Sequence, residues 1–296
     1  MTHIEFIAGL DPARRTALMA RSNRKGLAHL AGHLGGLLLM GGYIALQGPF
    51  WGLVLLPYGI TLVFLFTLSH ECTHATPFAT PWLNRVVGHA IALPLLLPFT
   101  WFRYFHLAHH RWTNDPERDP ELRDGGRPET WRAYLIYLSG WRYWVGNARL
   151  IWAQALGHVS APYLPTGKHS AMRREARLLL LLYAVILLSL TISPFALWLW
   201  IVPALLGQPF LRLYLLAEHG HCPPVADMFE NSRTTFTNRI IRALAWNMPY
   251  HAEHHAMPMV PFHALPILHD EAAAALRSTS EGYARFSADY ARGLSR

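Results

Sequence analysis

Residues 26–70 read GLAHLAGHLGGLLLMGGYIALQGPFWGLVLLPYGITLVFLFTLSH, 45 residues without one Asp, Glu, Lys or Arg. A helix needs about 20 apolar residues to cross the hydrocarbon core of a bilayer, so this run has room for two crossings joined by a tight turn near Gly48-Pro49. A second uncharged run, Leu178 to Leu211, covers 34 residues and fits a shorter hairpin turning near Ser193-Pro194. A cleaved signal peptide does not account for the first run, because Glu5 and Asp11 precede it and the apolar stretch is far too long. Composition points the same way: 52% hydrophobic and 15% charged residues are too apolar a mixture for an ordinary soluble domain.

The charges between these runs set an orientation. Basic residues cluster at Arg14, Arg15, Arg21, Arg24 and Lys25, again between Arg103 and Arg177, and again from Arg212, while both expected turns carry none. The positive-inside rule then places both termini and the long central segment in the cytoplasm. The net charge of +8 follows from this topology, with anionic membrane lipid or an acidic electron-transfer protein as partners rather than nucleic acid. Val86 to Phe102 is also uncharged but short and interrupted by Pro94 and Pro98, which predicts an interfacial or re-entrant segment. Arg132 to His158 has the composition of an amphipathic helix in the headgroup region, and Asp270 to Arg296 that of a solvated amphipathic helix.

The chain therefore reads as one all-α membrane domain, residues 1–296, with four transmembrane helices in two hairpins, interfacial helices and a cytoplasmic helical cap holding a di-metal site. Its parts are a cytoplasmic segment 1–25, hairpin 26–70, a cytoplasmic and interfacial region 71–177, hairpin 178–219 and cap 220–296. Two cysteines, Cys72 and Cys222, leave no disulfide framework and no cysteine-based cluster. Histidine, at 18 residues, is the abundant ligand type.

Three clusters carry the chemistry: His70-Glu-Cys-Thr-His74, His106-Leu-Ala-His109-His110 and His251-Ala-Glu-His254-His255. Offsets of i, i+3 and i+4 bring imidazoles to one face of a helix, where they converge on a metal. Asn247 and Pro249 predict a helix start before the third cluster, and Asn114-Asp115-Pro116 closes the second. Imidazole suits zinc, copper, iron and nickel alike, but eight nitrogens are too many for one ion. Cys72, two residues from His70, faces away from the metal side, and the separate pair His29 and His33 reads as packing or gating.

In this order, HxxxH, HxxHH and HxxHH at the ends of paired membrane helices resemble the membrane fatty acid desaturase and hydroxylase superfamily, over roughly Gly26 to Pro266. The resemblance implies two irons with O2 as co-substrate and the eight box histidines as ligands, no other catalytic residue and no bound organic cofactor. Ala217-Glu-His219-Gly220 resembles the isolated extra histidine of membrane alkane hydroxylases, making His219 a ninth ligand ahead of its neighbour His221. Trp246-Asn-Met-Pro-Tyr250 and the stretch His106 to Pro120 look most like bacterial acyl desaturases and dihydrorhizobitoxine desaturase, and imply a bacterial inner-membrane enzyme.

Ligating histidines commonly give their second N–H to a carboxylate. Asp115 and Asp119 are the preferred partners, with Glu71, Glu218 and Glu253 also nearby in sequence. The implied reaction is O2-dependent desaturation of an acyl chain or related aliphatic substrate. Hydroxylation of an alkyl or small amphiphilic substrate is the nearest alternative, and a histidine-rich metal transporter the alternative of another class. With no dinucleotide fingerprint or cluster-binding cysteines, electrons come from a ferredoxin or rubredoxin with its reductase.

Overall fold

A computed structural model describes residues 1–123 and 126–295, and these are mostly helical. Arg296, the end of the expected tail helix, lies outside the described residues. Helices α1 (His3–Gly9) and α2 (Pro12–Leu18) precede α3 (Asn23–Ala45), which Ser22 opens by accepting the Lys25 N–H at 3.3 Å. The chain then turns through Gln47 and Phe50, both at positive φ (50° and 58°), and the Tyr43 hydroxyl closes the turn by donating to the Pro49 carbonyl at 2.8 Å. Helices α4 (Trp51–Val63) and α5 (Leu65–His74) return across the same thickness, with a break at Phe64. There the Thr67 amide bonds the Phe64 carbonyl three residues back, at 3.1 Å.

Helices α6 (Pro81–Leu95) and α7 (Phe99–Trp112) are bent by 99° to each other at the residues around Pro98. Glu175 fixes the bend by accepting the first two N–H groups of α7, Phe99 at 2.7 Å and Thr100 at 3.0 Å, where a carboxylate is also favoured by the helix dipole. A straight crossing here would have put the first two histidine clusters on opposite sides of the bilayer. Instead the His74 and His106 Nε2 atoms are 2.9 Å apart.

The middle of the chain differs from a single amphipathic helix over Arg132–His158. After α8 (Pro120–Arg123) come α9 (Trp131–Leu138) and α10 (Trp141–Ala155), separated at Gly140, whose φ of +68° ends one helix and starts the next. Helix α11 (His169–Ser189) packs on α10, and after the break around Ser193-Pro194 a π-helical turn, Leu197–Ile201, leads into α12 (Val202–His219). Three helical stretches among the described residues are long and apolar enough to cross a membrane: Pro12–Ala45, Trp51–His74 and Leu197–His219. A fourth exists only if the bent pair α6–α7 counts as one span. Helix α11 falls short because Arg173, Arg174, Glu175 and Arg177 occupy its first half, leaving only Leu178–Ser189 uncharged, which at 1.5 Å per residue is about 18 Å of a roughly 30 Å core.

Helices α4 and α12 cross backbone to backbone. A Cβ added at Gly207 would stand 2.3 Å from the Gly59 carbonyl oxygen, and one at Gly59 would stand 2.0 Å from that of Pro203. Only glycine permits this approach, which in a bilayer is a principal source of helix association. The crossing holds the ends of α5 and α12, and with them His70, His74 and His219, at one level.

The remaining chain folds over that end as α13 (Met228–Asn231), β1 (Thr234–Thr235), α14 (Arg239–Leu244), α15 (His251–Ala256), α16 (Leu265–Ala272), β2 (Thr279–Ser280) and α17 (Tyr283–Arg292), with β1 parallel to β2. The tail is thus not one solvated helix. Phe286 and Tyr290 of α17 are buried against Tyr134, Leu216 and Ala217. Helix α15 starts at His251 without a side-chain cap, and Asn247 does not cap it: at φ +56° its amide donates to the Phe262 carbonyl at 3.0 Å.

Candidate metal centre

All nine expected ligands meet at the end of the helix bundle, eight of them buried and His110 half-buried. They fall into two groups. The ligand atoms of His70, His74, His106, His110 and His254 lie within 4.8 Å of one another, as do those of His109, His219 and His255. His251 joins the second group through its Nε2, 3.0 Å from that of His219. The second cluster is therefore divided: one helical face of α7 sends His106 and His110 to the first group, and His109 points to the other.

Within the groups, nitrogen faces nitrogen. Nε2 of His254 lies 2.9 Å from that of His70 and 3.2 Å from that of His110, and Nε2 of His219 lies 3.1 Å from that of His109. An imidazole nitrogen sits about 2.1 Å from a divalent metal, so two ligands at about 90–110° to each other stand roughly 3.0–3.4 Å apart. The observed spacings have that size.

Proton bookkeeping in the second group decides whether a cation fits. His109 donates its Nδ1–H to Asp119, 3.0 Å from both carboxylate oxygens, leaving a lone pair on Nε2. His219 donates its Nδ1–H to the Asn231 carbonyl at 3.2 Å, with the same result. The Thr113 hydroxyl donates to the His109 carbonyl at 2.9 Å and so accepts the Nδ1–H of His255 at 3.1 Å, leaving Nε2 of His255 a bare acceptor without a partner. With His109 neutral, three lone pairs face one another, a repulsive arrangement that a cation relieves; against the effect of burial, the carboxylates of Glu121 and Asp119 hold His109 above the usual histidine range, so a proton on its Nε2 competes with the metal there. Burial, reinforced by the neighbouring imidazoles, holds His251, His254 and His255 well below the usual histidine range, so all three are neutral at pH 7 and able to ligate.

The carboxylates divide differently from the sequence expectation. Asp119 is fully buried and holds His109, while also accepting the Asn114 and Glu121 N–H groups at 2.9 Å each. Asp115 does not share this role. Its carboxylate caps its own turn at Glu117 and Arg118 and pairs with the Arg118 guanidinium at 2.6 Å, because Asn114 at φ +62° turns the chain so that Asp115 faces outward.

Glu218 lies 3.3 Å from Nδ1 of His251, off the angle of a hydrogen bond. Glu71 accepts from Thr76 at 2.9 Å and from the Phe262 N–H at 3.0 Å, tying the first cluster to the loop after the third, and stands 3.9 Å from Nδ1 of His254. Glu253 points away, to His269 and Thr234. Thr113 and Asn231 were not anticipated. Thr113, the residue that ends α7, lies four residues past His109 and so carries a signal in its spacing, whereas nothing in the sequence marks a backbone carbonyl at residue 231. His221 stacks on Tyr290, with ring centres 4.4 Å apart, away from both groups.

A fatty acid desaturase family model matches residues 48–287, and so spans all three clusters and the scaffold between them. The chain belongs to the fatty acid desaturase family. Family and apolar helices together make it an integral membrane protein.

Among its curated relatives, the sn-1 oleoyl-lipid 12-desaturase of Picosynechococcus is 34% identical over 106 residues, 33% of this chain and 29% of that protein. The sphingolipid delta(4)-desaturase/C4-monooxygenase of Mus musculus is 28% identical over 207 residues, 67% of this chain and 58% of its own. The dihydrorhizobitoxine desaturase of Bradyrhizobium elkanii is 28% identical over 258 residues, 76% of this chain and 67% of its own. The chain thus spans from about a third to two thirds of the length of these desaturases.

Proposed function

We propose that this family member is an O2-dependent di-iron desaturase that introduces a double bond into an acyl chain or related aliphatic substrate. The observation that carries this reading is the trio of inward-facing lone pairs on His109, His219 and His255, beside a second group of five imidazoles. Two ions suit the division into five and four nitrogens, and membership of the family favours iron among the metals imidazole accepts. When bound, a reduced iron pair supplies activation of O2 strong enough to take hydrogen from an unactivated carbon.

The chain's own residues bind and orient. Nine imidazoles present Nε2, and Asp119, Thr113 and the Asn231 carbonyl hold Nδ1 protons so that those lone pairs stay inward. Burial keeps bulk water from the site. In the net reaction a –CH2–CH2– unit becomes –CH=CH–, and its two hydrogens, two further protons and two external electrons leave with O2 as two waters. We assign the electrons to a ferredoxin or rubredoxin with its reductase.

The topology we favour is a single domain with two hairpins, in which α11 keeps its arginines at the headgroups and both termini and the metal centre face the cytoplasm of a bacterial inner membrane. Hydroxylation is the second reading, favoured by the relative whose name combines desaturase with C4-monooxygenase. Metal transport is disfavoured by family membership and by ligands gathered at helix ends rather than at mid-membrane.

The test is expression in a bacterial host with a ferredoxin and its reductase, comparing lipids and metabolites by mass spectrometry with the His254→Ala variant. A species lighter by two hydrogens and absent from the variant is expected. One heavier by an oxygen atom makes the protein a hydroxylase, and product retained in the variant refutes the site.

A further inference from the structure

We propose that His33, on the first membrane helix and outside every histidine box, is a positioning residue that locks the first and third boxes to one another; the inference rests on the metal-centre reading above. Its imidazole is buried, and both ring nitrogens are engaged. The Trp246 indole N–H, a donor only, lies 3.2 Å from Nδ1 of His33, which must therefore accept. The remaining proton is on Nε2, 2.8 Å from the Thr61 carbonyl, to which it donates. One neutral tautomer satisfies both bonds.

Each bond ends at an irregular point of the backbone. Thr61 lies just before the break at Phe64 that separates α4 from α5, so its carbonyl is at the joint that aims His70 and His74, and a side chain bonded there is a recognised cause of such breaks. Trp246 and Asn247 are consecutive non-glycine residues at positive φ, 52° and 56°, four residues before His251. Such conformations cost free energy and persist only where the surroundings over-determine them. Backbone bonds that close α14 supply part of this, Trp246 N–H to the Ala243 carbonyl at 3.2 Å and Asn247 N–H to the Arg242 carbonyl at 2.8 Å, and side chains supply the rest: the fully buried indole bonded to His33 and packed on Phe262, the Asn247 side-chain amide on the Phe262 carbonyl, and His29, whose ring lies 4.3 Å from that of Trp246 and whose Nε2 bonds the Ala243 carbonyl at 2.7 Å. His29 and His33, one turn apart on α3, thus grip the strained lead-in of the third box, and His33 alone also holds the joint of the first. The boxes meet where Nε2 of His70 faces Nε2 of His254 at 2.9 Å.

The test uses the full chain in detergent with two readouts, neither of which is turnover. Thermal unfolding of the metal-free protein is measured for His33→Leu, Trp246→Phe and the double variant. Both singles break the same indole–imidazole bond, and His33→Leu also breaks the one to Thr61, so the double is expected to lose less than the sum of the two singles. Cobalt(II), a spectroscopic stand-in for iron, is then titrated into wild type, His33→Leu and His33→Asn. The leucine variant is expected to bind cobalt about tenfold more weakly with shifted ligand-field bands, in the range seen when an outer partner of a ligand is lost. The asparagine variant, whose amide oxygen stands near Nδ1 and still accepts from Trp246, recovers part of both. Additive melting losses overturn the bond. Coupled losses with an unchanged cobalt spectrum reduce His33 to packing and overturn the positioning role. Wild-type protein that takes up no cobalt refutes the metal-centre reading, and the positioning role with it, while the melting cycle still reports the bond.

Discussion

Replacing Asp119 by Asn tests the proton bookkeeping on which the second metal group depends. The two Asp119 oxygens share the His109 Nδ1–H at 3.0 Å, and each also accepts one backbone N–H at 2.9 Å, Glu121 on Oδ1 and Asn114 on Oδ2. An amide of the same shape has one oxygen, so in either orientation its NH2 points at a backbone N–H and one buried donor goes unsatisfied, at a cost of about 1–3 kcal/mol. The NH2 can also donate to Nδ1 of His109, which moves the ring proton to Nε2 and removes that nitrogen from the metal. Loss of an outer partner of this kind typically weakens metal binding about 10- to 100-fold, or roughly 1.4–2.7 kcal/mol. The assay is metal titration of wild type, Asp119→Asn and Asp115→Asn, with bound metal per chain measured after dialysis. Asp119→Asn is expected to lose affinity at the weaker of two sites, and Asp115→Asn, altered only in a surface turn, to match wild type within about twofold. Equal losses in the two variants, or none in Asp119→Asn, would refute the assignment of Asp119 to His109.

Three further outcomes follow from the geometry. His219→Ala should lower bound metal from two ions per chain towards one and abolish product, whereas His221→Ala, which removes only a ring stacked on Tyr290, should retain both, as metal analysis and product assays will report. Gly207→Ala puts a Cβ 2.3 Å from the Gly59 carbonyl oxygen and should lower stability in detergent by about 1–3 kcal/mol, while Gly36→Ala, with open space at its Cβ, should melt like wild type. His251, His254 and His255 have folded-state affinities for protons below the ordinary histidine value, so the unfolded chain binds more protons as the pH falls below about 6.5. Metal-free protein should therefore lose thermal stability between about pH 7 and 5, and a melting temperature that rises over that interval contradicts neutral buried imidazoles.

What the sequence made legible is chemistry that repeats within one helical turn. His106, His109 and His110 announce themselves because a helix brings i, i+3 and i+4 together, and an uncharged run of 45 residues can hardly be anything but membrane helix. The same periodicity does not say how far a helix is rotated about its axis. The division that sends His110 to one group and His109 to the other was therefore hidden, although it is what separates the imidazoles into two groups. Asp115 and Asp119 were equally close in sequence, and only the left-handed turn at Asn114 separates the one that faces solvent from the one that holds a ligand. Glu71 joined to Phe262, and Trp246 to His33, cross separations of 191 and 213 residues that no local pattern encodes. A consequence follows for reading other chains of this kind. A histidine outside the boxes, such as His33, is easily dismissed as packing because its partners are an indole and a carbonyl rather than a metal. Yet a centre whose ligands come from four separate stretches of chain depends on such residues to set the distance between those stretches, and the boxes alone cannot fix it.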